Sequence, residues 1–72
     1  MKKNLKLVKL IDKYGRKKLA TDTGISKIMI DFVCTNRRQF GIVPDNKGVS
    51  AADRVAKALN TDRATVRPDI WG

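Results

Sequence analysis

The sequence predicts a small all-α domain. Three observations carry the prediction. Apolar residues recur at helical spacing in several segments, and residues suited to caps and turns stand between them. The least helical stretch is Asn36–Gly48. At 72 residues the chain is long enough for one domain and not for two. A domain this small buries only about 60% of the surface its unfolded chain exposes, so dimerisation would add stability. Leu, Ile, Val and Phe supply 19 residues, enough for a compact core and too many for a disordered tail.

Asn4 can cap a first helix running to about Tyr14, with Leu7, Leu10, Ile11 and Tyr14 on one face and Lys2, Lys6, Lys9 and Lys13 on another. Gly15 can supply its C-terminal turn. Lys17–Thr23 reads as a short second helix with Leu19 and Ala20 inward, broken by Gly24. Ser26 is the N-cap expected for a third helix ending near Cys34, with Ile30 and Val33 inward. Phe40–Val43 has local strand character, and residues 44–48, Pro-Asp-Asn-Lys-Gly, are turn chemistry. Ser50-Ala-Ala-Asp53 is built like a capping box, opening a fourth helix to Leu59 with Ala52, Val55, Ala56 and Leu59 on one side. Asn60 can end that helix, and Thr61 can cap one further turn. Val66–Gly72 is expected to be extended, because Pro68 disfavours helix at Arg67. Trp71 and Ile70 are expected to pack against the core or a partner, and the single cysteine, Cys34, to be a small buried apolar residue.

Between Arg16 and Thr35 these residues form one pattern: Leu19-Ala20-x-x-x-Gly24-Ile25-Ser26-x-x-x-Ile30-x-x-Val33. Two helices crossing steeply need a small residue where they cross, and Ala20 supplies it. Their turn needs a residue that tolerates positive φ, and Gly24 does. Ile25 then drops into the core, and Ile30 and Val33 follow on the inner face of the second helix. This is the pattern of a helix-turn-helix. Thr23 departs from it, since a larger apolar residue more often precedes the glycine. The expected architecture is four or five short helices, with a short β-hairpin around residues 40–50 as the alternative for the second half.

The charge is strongly positive: 16 Lys+Arg against 7 acids, all of them Asp, for a net +9. Residues 1–18 carry eight of the cations and only Asp12 against them. Such a balance favours a polyanionic partner. A membrane is the weaker candidate, because no apolar run approaches the length of a spanning helix and no secretory leader is apparent. An enzyme is not expected. The chain has no His, its one Cys has no base partner in view, and no phosphate-binding glycine loop or metal-ligand cluster occurs. Accordingly no cofactor, metal or small-molecule substrate is expected. The lone cysteine fits a reducing cytoplasm.

Tyr14-Gly15 followed by Lys18-Leu19-Ala20-x-x-x-Gly24-Ile25-Ser26 resembles the Cro repressors of lambdoid phages and the related YdaS-like prophage regulators. The ending Val66-Arg67-Pro68-Asp69-Ile70-Trp71 is similar to the Leu-Arg-Pro-Asp-x-Trp ending of the YdaS-like group. The resemblance covers nearly the whole chain. It implies a lambda-repressor-like, Cro-like domain that binds operator DNA as a homodimer in the bacterial cytoplasm and represses transcription. Cro relatives are either all-helical or carry a C-terminal β-hairpin, for which Phe40–Ala51 is the candidate. The capping box at Ser50 favours the helical form.

In a helix-turn-helix the second helix enters the major groove. Here its outward residues are Lys27, Ile28, Asp31, Phe32 and Thr35. Lys27 can donate to guanine O6/N7, Ile28 and Phe32 can meet thymine methyl groups, Asp31 can accept from cytosine N4, and Thr35 can bond a base or phosphate. Ile28 and Phe32 can equally pack on Phe40–Val43 or on a partner subunit, since apolar patches usually mark an interface. Arg16, Lys17 and Lys18 at the start of one helix, and Asn36, Arg37, Arg38 and Gln39 after the other, are candidate phosphate contacts. The competing function is a protein-interaction module, an antitoxin or antirepressor on the same fold. An RNA binder lacks a stacking platform, and a DNA-bending architectural protein shares the same charge.

Overall fold

Asn4 joins the two ends of the fold. Its Oδ1 accepts from the Leu7 amide at 3.2 Å, capping α1 (Leu5–Tyr14), while its Nδ2 donates to the Thr65 carbonyl at 2.8 Å. The structure, a computed structural model, describes residues 4–71. Lys2, placed on the cationic stripe by its spacing, lies outside them. Leu7 and Ile11 of α1 are fully buried, and Leu10 and Tyr14 are half-buried beside them. Lys6, Lys9 and Lys13 share the exposed side.

Gly15 turns the chain with φ 104°, a conformation that an L side chain rarely adopts. It serves as C-cap of α1 and N-cap of α2 (Arg16–Thr23). Gly24, at φ 72°, closes α2 in the left-handed conformation, its amide donating to the Ala20 carbonyl at 3.0 Å. Thr23 is buried. Its Oγ1 donates to the Leu19 carbonyl at 2.6 Å and accepts from the Ile25 amide at 3.2 Å. The hydroxyl therefore bonds within the turn where the pattern more often has an apolar side chain.

After that turn α3 (Lys27–Cys34) begins at Ser26, whose Oγ accepts from the Met29 amide at 3.2 Å. Ile30, Val33 and Cys34 are its buried residues. Asn36 ends it with φ 61°. The Arg37 amide donates to the Phe32 carbonyl at 2.8 Å and the Asn36 amide to the Val33 carbonyl at 3.1 Å, the paired bonds of a Schellman motif.

No strand forms among the described residues, so the hairpin alternative for residues 40–50 does not hold. The strand character of Phe40–Val43 has another outlet. Phe40 is fully buried as a plug in the core, while Val43 is 81% exposed. The backbone is held by other partners: the Gly41 carbonyl accepts from the Ala52 amide at 2.9 Å, and Asp45 Oδ1 accepts from the Lys47 and Val49 amides. A side-chain-stabilised turn thus replaces a ladder.

The capping box forms. Ser50 Oγ accepts from the Asp53 amide at 3.2 Å and the Asp53 carboxylate accepts from the Ser50 amide at 3.3 Å, starting α4 (Ala51–Ala58). Ala52, Val55 and Ala56 are buried, with Leu59 half-buried next to them. Asn60, at φ 55°, ends α4 with the same paired bonds that Asn36 makes, from Thr61 to Ala56 and from Asn60 to Lys57. The next cap is Asp62, one residue past the expected Thr61, and it opens α5 (Arg63–Val66). Gly72 lies outside the described residues, and Val66–Trp71 are not an extended run. Arg67 is non-helical, as its proline neighbour requires, but Pro68 then starts α6 (Pro68–Trp71). Proline's fixed φ and missing N–H suit a first helical position, so it interrupts the helix and restarts it. The described residues therefore form six helices, beyond the four or five expected. Trp71 packs on the core with the Arg63 guanidinium 5.0 Å over its ring, whereas Ile70 is exposed.

All six helices are short and none is long and apolar enough to cross a membrane. α2 packs on both α3 and α4, and α1 lies across α2, α3 and α5. This surrounds the inner face of α3 and leaves its outer face uncovered.

Candidate nucleic-acid interface

α3 is eight residues long, and so spans about 12 Å. Its caps are local, its inner face is buried, and the residues left over are the five read as outward-facing. Lys27, Ile28 and Thr35 are exposed, with Ile28 at 67%, and Asp31 and Phe32 are half-buried. None of the five enters the core. The Arg38 guanidinium lies 5.7 Å over the Phe32 ring, and a shallow groove runs between Ser26, Ile28, Met29, Phe32 and Arg38. This groove is apolar in its floor and cationic at one edge.

The polar residues of the face are tied to one another. Asp31 Oδ1 accepts from Arg16 Nη1 at 2.9 Å, and Asp31 Oδ2 accepts from Lys27 Nζ at 3.2 Å. Arg16 Nε in turn donates to Asp12 Oδ1 at 3.1 Å. Arg16, then Lys27, hold the Asp31 carboxyl below its ordinary pKa; Asp31, then Asp12, raise that of Arg16. The cluster Asp12–Arg16–Asp31–Lys27 has no net charge. Thr35 Oγ1 donates to the Asp31 and Phe32 carbonyls at 3.0 and 3.3 Å, which leaves its lone pairs outward and its proton engaged.

The expected phosphate contacts divide into groups. Lys17, Arg37 and Arg38 are exposed and form no ion pair among the described residues, and the Arg38 guanidinium lies over the Phe32 ring. Lys18 lies about 200° around α2 from Arg16. It sits 4.9 Å over the Tyr14 ring, beside Leu10, Lys13 and Leu59, away from the α3 side. The Asn36 backbone terminates α3 in the left-handed conformation. The member of the Asp12–Arg16–Asp31–Lys27 cluster for which no role was expected is Asp12. Its signal was available, because an Asp four residues before an Arg is a helical pairing distance, but Gly15 stands between them and the pair spans two helices.

No family model, curated protein or solved structure matches this chain.

Proposed function

We propose that this protein is a sequence-specific, double-stranded DNA-binding transcriptional regulator that places α3 in the major groove. The observation that carries the reading is the uncovered face of α3, with exposed cations close by in the chain, Lys17 and Arg37, that form no ion pair among the described residues. A groove about 12 Å wide admits one helix, and its walls are phosphates that such flanking cations can bond. Lys27 is the candidate donor to guanine, and Ile28 and Phe32 the candidates for contact with thymine methyl groups. The resemblance to Cro-type and YdaS-like regulators adds repression at an operator, by a homodimer, in the bacterial cytoplasm.

Selection of bound duplexes from a random pool tests this. The expected result is an enriched consensus, palindromic if a dimer binds, because operator symmetry mirrors protein symmetry. Replacing thymine by uracil in that consensus should weaken binding of the parent and leave Ile28→Ala less affected. Absence of enrichment overturns the reading. The second reading, a protein-interaction module of the antitoxin or antirepressor kind, has one observation in its favour: the exposure of Ile28 beside the Met29–Phe32 groove. It gains if the pool yields nothing.

A further inference from the structure

Asp31 is a carboxylate on the face proposed to approach a polyanion, where it repels phosphate. We propose that Asp31 is a specificity-determining residue that clasps Arg16 and Lys27 and withholds both cations from the phosphates of unselected duplex. The inference rests on the DNA-binding reading of α3. Two distances support the clasp: 2.9 Å to Arg16 Nη1 and 3.2 Å to Lys27 Nζ, each through a different carboxylate oxygen. One acid therefore spans the helix-turn-helix, from the first residue of α2 to the middle of α3. Asp12 holds the remaining side of Arg16.

The consequence is a division of charge. The centre of the face is neutral, while Lys17, next to Arg16 in the chain, and Arg37, three residues past the end of α3, form no ion pair among the described residues. Non-specific affinity comes almost wholly from cations that neutralise phosphates. A neutral centre keeps that term small. It also fixes Lys27 and Arg16 in one arrangement, so their donors reach a base edge only where the sequence offers the matching acceptors. Negative charge here weakens every complex and weakens the wrong ones most.

The test is Asp31→Asn, which keeps the shape and removes the charge. Affinities for a random-sequence duplex and for the duplex selected from a random pool are measured across a salt series. Asp31→Asn should tighten random-duplex binding about three- to tenfold and steepen log K against log[salt] by about one, as freed cations take up phosphates. The ratio of selected to random affinity should fall. Asp22→Asn is the charge control. Asp22 is bonded to the Tyr14 hydroxyl, outside the α3 face, and its loss changes the net charge equally. Circular dichroism checks folding, and Asp31→Ala provides a second variant with good helix propensity.

An equal gain from Asp22→Asn reduces the effect to net charge and overturns the proposal. Unchanged random-duplex affinity, with lost preference for cytosine at one position, assigns Asp31 to direct base readout and overturns it too. If the unmodified protein binds no duplex, the DNA reading itself has failed. If it binds and Asp31→Asn binds identically, only the clasp has failed.

Discussion

Thr23 shows how one side chain is judged by its bonds and not by its type. Its position in the turn more often holds a larger apolar residue, and a threonine there reads from sequence as a defect. The buried hydroxyl instead donates to the Leu19 carbonyl and accepts from the Ile25 amide, so it ties the last turn of α2 to the chain entering α3. These two accounts make opposite predictions for Thr23→Val, which keeps the shape and deletes the hydroxyl. If the site is only an apolar slot, valine stabilises the fold. If the hydroxyl holds the turn, its loss leaves the Ile25 amide without this acceptor and lowers stability by about 1 kcal/mol. Urea unfolding decides, with the loss expected.

At the level of elements, short helices depend on their ends, because an isolated helix of eight residues is not stable in water. The caps at Ser26, Ser50 and Asp62 and the left-handed stops at Asn36 and Asn60 answer that need. Most of these were legible, since a cap and its partner lie within about three residues of each other. The clamp that locks the last two elements was not. Arg67 is only 13% exposed; its Nη1 donates to the Phe40 carbonyl at 2.7 Å, and its Nε and Nη2 bond both oxygens of Asp69 at 2.9 and 2.7 Å. This gives the Arg67-Pro68-Asp69 run a structural role: it fastens the turn into α6 to the loop that carries the Phe40 plug. The partners are 27 residues apart, and local spacing does not reveal such a pair. Arg67→Ala is expected to lower stability by about 1.5 to 3 kcal/mol, the range for hydrogen bonds made by a charged group. Arg67→Lys should not restore it, because an ammonium cannot reproduce a planar fork held on two sides. The denaturant midpoints of the two variants check this, and an unchanged midpoint for Arg67→Ala removes the clamp.

For the whole molecule, the legible part was whatever repeats at helical spacing. Leu7, Ile11, Leu19, Ile30, Val33, Val55 and Ala56 are core residues, and periodicity finds them. Phe40, equally buried, sits in a loop with no period to announce it. The candidate interface was legible as a list of outward positions and not as a network, because Arg16 and Asp31 meet across two helices. The same difficulty hides how the charge is arranged. The protein carries net +9 and no histidine, and its seven acids are all aspartates with a structural partner. Asp12, Asp31, Asp45, Asp53 and Asp69 form ion pairs, Asp22 accepts from the Tyr14 hydroxyl, and Asp62 caps α5. The carboxyls of Asp31, Asp53 and Asp69 are held below their ordinary pKa first by Arg16, Arg63 and Arg67, that of Asp45 by the Val49 and Lys47 amides, and that of Asp62 by Thr65. A carboxyl depressed in the folded state binds its proton more readily when unfolded. Its contribution to stability is therefore complete above the unfolded value, about 3.9, and is lost as pH falls through the folded value. Acid also removes the negative charges of the side chains, leaving the cations to repel one another. Stability should accordingly be level between about pH 5 and 7, where no side chain of this composition ordinarily titrates, and should fall steeply below about pH 4. Urea midpoints followed by circular dichroism across that range measure it. A midpoint that stays level down to about pH 2 would mean that the aspartate bonds add nothing to the fold.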